Sequence, residues 1–394
     1  MKTVAVFTGN RAEFGLQMPL LTELKNSKEF SLALIVGASH VDPEFGSTIE
    51  EIEKNGFEVN YKIDFKHEND KLYQNPKTIA EGISLISDVL EEITPDLFIV
   101  YADRYEGFAA IIASTQMGIL TAHFEGGDIT EGGAFDDSVR HAMSKLSHIH
   151  FTTNKLASSR IAQLGENPDY IFEVGLPAVD LIAQSQFTSK DEVITKYGLK
   201  EKDKVIVFTQ HSIPIERDAI KNEFAEIEKS LADLSDTKII CTYPNSDIGG
   251  KEIIQYLEAW NNNYNHINLY KSLGRDDFHG LLNLNNSSSI SVCYLGNSSA
   301  GIKETPALKC PAIIIGDRQK GRLHSTNVLF TEASNKSISQ AIEKAFNDLE
   351  FIDSYKNCLN PYGSGDMGKK TIKILSTLDI EKDMVKKKFI DLNL

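Results

Sequence analysis

Short, continuous apolar runs alternate with segments of helical periodicity along the first half of the chain. Residues 4–7 form one such run, closed by Gly9 and Asn10, and the next segment repeats leucine at helical spacing. The pattern predicts strands at residues 1–9, 32–37, 97–101 and 119–123, and helices at residues 16–25, 79–93 and 109–117. Because the strand runs are apolar throughout, they indicate a parallel sheet covered by helices on both faces.

The second half of the chain repeats this pattern. After a charged stretch at residues 189–204, apolar runs predict strands at residues 205–209, 239–241, 291–295 and 312–315. A length of 394 residues suits two domains, which we place at residues 1–185 and 186–394. The expected fold class is α/β, with two Rossmann-like domains facing a cleft, as in the GT-B architecture. The final helix can then pack back on the N-terminal domain, and the Lys-rich tail from residue 380 is interpreted as a solvated helix end.

Composition narrows the class of protein. The apolar fraction of 41% and the charged fraction of 25% are ordinary for a soluble globular protein, and the net charge of −15 argues against a nucleic-acid-binding surface. The four cysteines are scattered without a CxxC pair, which predicts buried, reduced thiols. Neither a signal peptide nor an apolar run long enough to span a membrane is present, so we expect a cytoplasmic protein with no membrane partner.

Acidic and basic side chains follow three of the predicted strands. They are Asn10-Arg11, Asp103-Arg104 and Glu125, which is followed by Gly126 and Gly127. In parallel α/β sheets, ligands bind beyond the carboxyl ends of the strands. The cluster therefore suits proton transfer on a negatively charged substrate, and we expect the two glycines to leave room for it.

Asp136 and Asp137 open another predicted helix. Acids are favoured at a helix N-terminus, and Arg140 lies one turn from Asp136, so helix capping and an ion pair would account for this segment without any chemistry. Beside Glu125, however, we favour a chemical role for Asp136.

The second half carries features of an anion site. Residues 296–301, GNSSAG, connect a strand to a helix, and helix N-termini of this kind bind anions. Arg318, Lys320 and Arg322 follow another strand, while Gln210-His211 and residues 243–247 follow two more. We interpret these segments as a diphosphate or nucleotide pocket. Neither a Walker loop, nor a GxGxxG fingerprint, nor a paired-histidine metal motif is present, so we expect no metal and no nicotinamide cofactor.

Taken together, the motifs resemble those of the UDP-N-acetylglucosamine 2-epimerases, in the hydrolysing branch that makes N-acetylmannosamine for sialic acid synthesis. The matching segments are TGNRAE from Thr8, ADR from Ala102, HFEGGD from His123, DDSVRHAMSKLSH from Asp136, YPNSD from Tyr243, GNSSAGIKE from Gly296 and GDRQKGR from Gly316. The non-hydrolysing branch typically shows RPE, HVEAGLR and HRREN instead. This chain therefore looks hydrolysing.

The resemblance implies a reaction that begins with elimination of UDP. A base removes the proton at C2 while the anomeric C–O bond breaks, leaving a 2-acetamidoglucal. Water then adds at C1 and a proton returns to C2 on the opposite face. The catalytic roles map onto Asp103, Glu125 and Asp136, with Glu13 as a further candidate.

The resemblance also implies a UDP-binding set. Arg11 and His211 match diphosphate-binding positions, Ser298 and Ser299 match phosphate ligands, and Glu304 matches the acid that binds the ribose. Asn245 belongs to the same set, and Phe278 would lie near the uracil. His211 is followed by Ser212-Ile213-Pro214, where many relatives have proline directly after the histidine. We expect a homodimer or homotetramer.

Several functions remain open at this level. We favour UDP-N-acetylglucosamine as the substrate, with UDP-N,N′-diacetylbacillosamine, the substrate of a branch that serves legionaminic acid synthesis, as the alternative. A GT-B glycosyltransferase would share the cleft but need a sugar acceptor. A non-catalytic UDP-sugar sensor would leave the three acids unexplained.

Overall fold

The computed structural model describes residues 1–41, 48–65, 73–101, 103–129, 135–213, 219–244, 249–380 and 382–391. Its chain divides into two compact units. The first comprises Met1–Ile129, Gly133–Asp180 and Gly365–Leu394, and the second comprises Thr130–Gly132 and Leu181–Ser364.

A seven-stranded parallel sheet forms the centre of the first unit. Its strands are β1 (Lys2–Thr8), β2 (Phe30–Gly37), β3 (Tyr61–Ile63), β4 (Leu97–Tyr101), β5 (Thr121–Phe124), β6 (Ile149–Thr152) and β7 (Ile171–Glu173). Its helices are α1 (Arg11–Asn26), α2 (Ile49–Lys54), α3 (Gln74–Ile93), α4 (Tyr105–Gln116), α5 (Phe135–Leu146) and α6 (Lys155–Gln163), with α7 (Pro177–Ala183) carrying the chain into the second unit. The strand order is β3-β2-β1-β4-β5-β6-β7.

The second unit contains a six-stranded parallel sheet with a similar winding. Its strands are β8 (Lys204–Thr209), β9 (Thr237–Thr242), β10 (Ile267–Tyr270), β11 (Ser291–Gly296), β12 (Ala312–Ile315) and β13 (Val328–Thr331). Its helices are α8 (Lys190–Lys196), α9 (Ile220–Ala232), α10 (Gly250–Asn263), α11 (Gly274–Leu282), α12 (Leu284–Ser287), α13 (Ala300–Lys303), α14 (Asn335–Asn347) and α15 (Leu349–Lys356). The order β10-β9-β8-β11-β12-β13 is that of a doubly wound fold. After α15, α16 (Met367–Thr377) belongs to the first unit.

Burial explains why the strand runs are continuously apolar. Along β4, Leu97 and Ile99 pack into the core shared with α1 and α16, whereas Phe98 and Val100 pack into the core shared with α3 and α4. Both faces of the strand are therefore covered, as expected for a parallel sheet. The predicted α/β class is confirmed.

Element bounds differ from the prediction mainly where an element begins with polar residues. The three predicted helices of the first half begin earlier, at Arg11, Gln74 and Tyr105. In α1 the polar first turn is stabilised by Asn10, whose side chain accepts a hydrogen bond from the Glu13 N–H. The additional strands β3, β6, β7, β10 and β13 have three or four residues each, and at least one polar residue in each shortens the apolar run.

One prediction about the tail is wrong. The residues after α16 form a short 3-10 turn at Lys382–Val385 and then an irregular segment, rather than a solvated helix end. Within that segment Ile390 N–H donates to the Gly165 carbonyl over 3.0 Å. The segment is therefore attached to the first unit.

The prediction for the cysteines is confirmed, since all four are buried and free. Within the described ranges, none of the helices is long and apolar enough to cross a membrane.

Candidate active site

The acidic cluster of the first unit lies where its strand order reverses. β1 and β4 are neighbours in the sheet. The strands that follow β1 along the chain, β2 and β3, lie on one side of this pair, and the strands that follow β4, from β5 to β7, lie on the other side. Glu13 follows β1, Asp103 follows β4, and Glu125 follows β5, which pairs with β4. In open α/β sheets this reversal point is where ligands bind.

Glu13 lies in the first turn of α1 and is only 6% exposed. One carboxylate oxygen accepts hydrogen bonds from Gly9 N–H (3.2 Å) and the Asn10 amide (3.3 Å), and the other accepts from Gln17 (3.0 Å). Burial, followed by the negative charge of Glu106, nevertheless raises the pKa of Glu13 well above its ordinary value. Glu13 therefore takes up a proton at a higher pH than an exposed glutamate does.

Asp103 is held by Arg140, a residue of α5 that the sequence did not mark for this role. The Arg140 guanidinium, itself nearly buried, donates to Asp103, to Asp137 over 2.7 Å and to the Asp128 carbonyl over 2.9 Å. The cation therefore fixes the loop after β4 against the N-terminal half of α5. Arg104 pairs instead with Glu106, with Nε and Oε2 3.2 Å apart.

Glu125 adopts a left-handed backbone conformation with φ of 58°. For a residue with a side chain this conformation costs about 1–2 kcal/mol, and such strain clusters at functional sites. A hydrogen bond of 3.0 Å from Glu125 N–H to the Phe151 carbonyl ties the residue to β6.

The two glycines after Glu125 serve a purpose different from the one expected. A Cβ on Gly126 would lie 2.5 Å from Ser144 Oγ, and one on Gly127 would lie 2.2 Å from the Ala157 carbonyl oxygen. Gly127 also has a positive φ of 77°. The glycines therefore permit α5 and α6 to approach the loop, rather than leaving space for a ligand.

Two further predicted site residues of the first unit are Asp136, from the catalytic set, and Arg11, from the diphosphate-binding set. Asp136 is the second residue of α5, but its side chain lies outside the described part of the chain. Arg11 is exposed, and its Nε lies 2.6 Å from Glu51 Oε2 on α2.

A cavity of about 370 Å³ opens at the carboxyl ends of the strands in the second unit. Its lining includes the predicted residues Phe278, Ser298 and Glu304. It also includes residues that the sequence did not single out, among them Thr209, Lys271, Arg275 and Tyr294. The volume is in the range of small-molecule sites, and two cations beside an aromatic ring and a carboxylate suit a nucleoside diphosphate.

Glu304 is oriented by a buried histidine. His279 Nε2 lies 2.6 Å from Glu304 Oε2, and the His279 side chain is fully buried. Only one oxygen of the carboxylate is engaged by this contact, so the other can accept from a ligand hydroxyl.

The strand end beneath the cavity needs a glycine. Gly296 has φ of 144°, and a Cβ there would lie 1.9 Å from the Thr209 carbonyl oxygen. The next residue, Asn297, exchanges two hydrogen bonds with the backbone of His211, at 2.7 and 2.8 Å. The GNSS segment is thus held against the end of β8.

Several predicted residues do not line this cavity. Ser299 and His211 are absent from its lining, and Asn245 lies outside the described residues. Arg318, Lys320 and Arg322 are also absent from the lining. Arg318 donates to the Asn297 carbonyl over 3.1 Å, Lys320 donates to Asp317 and Arg322 donates to Gln319. Their predicted part in the diphosphate pocket stays a prediction.

Two parallel-sheet units, one with acids at its strand reversal and the other with a nucleotide-sized cavity, are the features of an enzyme that acts on a nucleotide sugar. The chain belongs to the UDP-N-acetylglucosamine 2-epimerase family, which it matches over residues 22–376.

Three relatives match the chain along nearly its whole length. A GDP/UDP-N,N′-diacetylbacillosamine 2-epimerase (hydrolysing) of Campylobacter jejuni is 33% identical, with 99% of each chain covered. A UDP-N,N′-diacetylbacillosamine 2-epimerase (hydrolysing) of Legionella pneumophila is 30% identical, over 98% of this chain and 99% of the relative. A UDP-N-acetylglucosamine 2-epimerase of Neisseria meningitidis is 31% identical, with 100% of each chain covered.

The fold is also that of solved structures. The crystal structure of a UDP-GlcNAc 2-epimerase from Neisseria meningitidis bound to UDP-GlcNAc superposes with a TM-score of 0.80 at 19% identity, covering 96% of this chain and 100% of that one. The predicted GT-B-like fold class is thereby confirmed.

Proposed function

We propose that the protein is a hydrolysing 2-epimerase whose substrate is UDP-N,N′-diacetylbacillosamine. The names of the Campylobacter and Legionella relatives support this substrate over UDP-N-acetylglucosamine, which the sequence motifs alone favoured. The Neisseria relative, of intermediate identity, makes UDP-N-acetylglucosamine the competing substrate. The two sugars differ only at C4 and C6.

The reaction type is supported by the set of acids that lies where the strand order of the first unit reverses. Elimination of UDP requires one group to take the C2 proton while the anomeric C–O bond breaks. Addition of water at C1 then requires a proton to be returned to C2 on the opposite face. Carboxyl groups in different protonation states support such chemistry. The pKa of Glu13 is raised, and Asp103 is paired with the Arg140 guanidinium, so these two carboxyl groups lie in different electrostatic surroundings.

The proposed catalytic set comprises Asp103, Glu125, Asp136 and Glu13. We assign the proton transfers to this set as a whole. Because acids that share a pocket titrate together, each proton-transfer step is assigned to the coupled group rather than to one side chain. Glu125, held in a strained conformation at a strand end, is its central member.

The nucleotide is assigned to the cavity of the second unit. Glu304 would accept hydrogen bonds from the ribose, Phe278 would contact the uracil, and Ser298 would donate to a phosphate. Lys271 and Arg275 line the same cavity and would stabilise the diphosphate as it leaves. Arg11, His211, Asn245 and Ser299 remain proposed UDP ligands on the resemblance alone.

The decisive experiment is product analysis by proton NMR in heavy water, with each UDP-sugar supplied alone. We expect UDP and the C2-inverted free sugar, with deuterium at C2 because the proton is lost during elimination. We expect the larger kcat/KM with UDP-N,N′-diacetylbacillosamine. Full protium at C2 would contradict the elimination, a larger kcat/KM with UDP-N-acetylglucosamine would contradict the substrate, and UDP release only with an added acceptor would favour a glycosyltransferase.

A further inference from the structure

Tyr101, the last residue of β4, places a buried hydroxyl group next to the acids. The side chain is 3% exposed, and its oxygen has no hydrogen-bond partner within the described ranges of the chain. Leaving a buried hydroxyl unpaired is unfavourable, so such groups in native proteins call for an explanation.

The position of the hydroxyl is fixed by the packing of the ring. Tyr101 lies opposite Phe124 in the β4–β5 register, and the two rings stack with centroids 6.3 Å apart and an interplanar angle of 22°. Phe124 in turn stacks on Phe151, with centroids 4.6 Å apart. A row of stacked aromatic rings therefore prevents the phenol from turning away.

Three acids lie near enough to this hydroxyl group to act on its ionisation. They come from different elements: Glu125 after β5, Glu13 on α1 and Asp103 after β4, with Arg140 of α5 bound to Asp103. Burial first, and then the negative charge of Glu125, raises the pKa of Tyr101 well above its ordinary value, so the phenol stays protonated and can only donate to a carboxylate. Glu125 lies close to it, although no hydrogen bond of ordinary geometry joins the two groups.

We propose that Tyr101 is a positioning residue of the epimerase reaction, whose phenolic O–H donates a hydrogen bond to the Glu125 carboxylate once a UDP-sugar is bound. The proposal rests on the proposed function, because Tyr101 acts through Glu125. Hydrogen bonds of catalytic groups are often incomplete in the free enzyme and tighten in the substrate complex. The proton remains on Tyr101 throughout, so the proton balance of the reaction is unchanged.

The test is Tyr101→Phe, which removes one oxygen and retains the stacked ring. We expect kcat to fall by about 10- to 100-fold, the range for a hydrogen bond to a charged group, with KM and UDP binding little changed. We expect the thermal midpoint to stay the same or rise, because an unpaired buried hydroxyl is removed. Lower activity together with undiminished stability is a combination that a purely structural tyrosine would not give.

The pH profile supplies a second readout. A donated hydrogen bond favours the ionised form of Glu125, so its loss should move the limb of the kcat profile governed by the coupled acids to higher pH. Glu13, Asp103 and Arg140 are unchanged in the variant, so the shift of this limb reports the loss of the Tyr101 hydroxyl. A limb that does not move would overturn the proposal.

Tyr362→Phe is the matched control. Tyr362 is 1% exposed, belongs to the second unit and donates its hydroxyl to the Leu323 carbonyl over 2.9 Å. Removing this satisfied hydroxyl should lower stability and leave kcat unchanged, the reverse of the result expected for Tyr101→Phe.

The variants also separate this proposal from the proposed function. If the parent releases UDP from a UDP-sugar but Tyr101→Phe keeps its kcat, the positioning role fails alone. If Tyr101→Phe raises KM without lowering kcat, the hydroxyl binds the sugar rather than Glu125, and the proposal is overturned. If the parent releases no UDP from either sugar, the proposed function fails first and the role of Tyr101 fails with it.

Discussion

Arg140 holds two acids with a single side chain. Its exposure is 6%, and it donates both to Asp103 and to Asp137, which lie on different segments of the chain. Burial alone would lower the pKa of Arg140, but the neighbouring carboxylates, Asp103 foremost, outweigh it and raise the pKa. The Arg140 cation therefore orients the loop after β4 and also compensates the negative charges of Asp103 and Asp137.

Replacing Arg140 by leucine should therefore be costly. The change leaves Asp103 and Asp137 without their buried cation, and breaking a buried pair typically costs about 3–5 kcal/mol. We expect the free energy of unfolding, measured in urea, to fall by about that amount and turnover to be lost. Arg140→Lys should recover part of the stability, since it keeps the charge but loses the planar fork.

Arg160→Leu provides the comparison, because Arg160 donates to one backbone carbonyl, that of Gly127, over 3.1 Å. Its loss should cost about 1 kcal/mol, the usual contribution of one hydrogen bond. Equal losses for the two arginines would contradict the special position of Arg140.

His279 should matter for nucleotide binding although it does not line the cavity. It fixes one oxygen of Glu304, so His279→Ala frees the carboxylate to adopt other rotamers. By calorimetry we expect UDP affinity to fall by about tenfold, the effect of losing one charge-assisted hydrogen bond, whereas the affinity for inorganic diphosphate should be nearly parental. Because the two residues act together, His279→Ala added to Glu304→Ala should weaken UDP binding little further. Equal losses for UDP and diphosphate would remove the pair from the ribose.

Sequence reasoning identified the acids but not the groups that orient them. Asp103 and Glu125 could be predicted because each follows an apolar run that ends a strand. In the sequence, Tyr101 looks like any aromatic residue at the end of a strand, and His279 looks like any polar residue within a helix. Their roles depend on contacts with residues 24 and 25 positions away, Glu125 and Glu304, which no local pattern encodes.

At the scale of elements, the C-terminal segment, residues 386–391, is attached to the loop between α6 and β7. Lys387 Nζ lies 2.7 Å from Glu166 Oε2, and the Phe389 ring lies over Lys145 Nζ at 4.7 Å. Lys387 also donates to the carbonyls of Lys145 and Ser147 at the end of α5. The segment therefore stabilises the C-terminal end of α5, the helix whose first turn carries Asp136 and Asp137.

Glu166 makes this attachment dependent on pH. Burial alone would raise the pKa of Glu166, but hydrogen bonds from its three basic neighbours outweigh it and lower the pKa from 4.5 to about 2. Its stabilising contribution is therefore complete above about pH 4.5 and is lost as the pH falls towards 2. The pKa of His148 is lowered from 6.5 to about 4, first by burial and then by Lys387. His148 therefore also lowers the stability of the protein as the pH falls from 6.5 to about 4.

Lys387→Met should destabilise the protein at neutral pH and much less in acid. We expect the difference in free energy of unfolding between parent and variant, from urea titrations at several pH values, to be largest near neutrality. It should shrink as the pH falls below about 6.5 and again below about 4.5. Lys388→Met, at an exposed neighbouring position, should change little at any pH. A difference that grows in acid would contradict the attachment.

The tail also shows where element prediction fails. Continuous apolar runs predicted most of the long strands, because burial on both faces leaves a strong local signal. The C-terminal segment is Lys-rich and carries few apolar residues, so its pattern indicated a solvated helix end. What orders it is contact with Lys145, Gly165 and Glu166, more than 200 residues earlier in the chain.

At the scale of the whole molecule, the two units divide the work of the proposed reaction. Each sheet reverses its strand order at one point, between β1 and β4 in the first and between β8 and β11 in the second. The acids lie beside the first reversal, and the cavity with Thr209 and Ser298 lies at the second. The alternation of strands and helices predicted two such sheets. It could not predict which loop residues would line the cavity, because that depends on how Asn297 and Arg318 hold the GNSS segment.

This division predicts two distinct kinetic signatures. Glu125→Gln keeps the size of the side chain but removes an acid, so kcat should fall by about 10²–10⁴-fold while UDP binding stays nearly parental. Glu304→Ala removes the contact that we propose to the ribose, which would be equal in the ground state and the transition state, so KM should rise with little change in kcat. The deuterium content at C2 should be full in every product molecule that Glu304→Ala releases, because the chemistry in the first unit is intact. A near-parental kcat for folded Glu125→Gln would overturn the assignment of the acids, and a loss of kcat alone in Glu304→Ala would move that residue from nucleotide binding to chemistry.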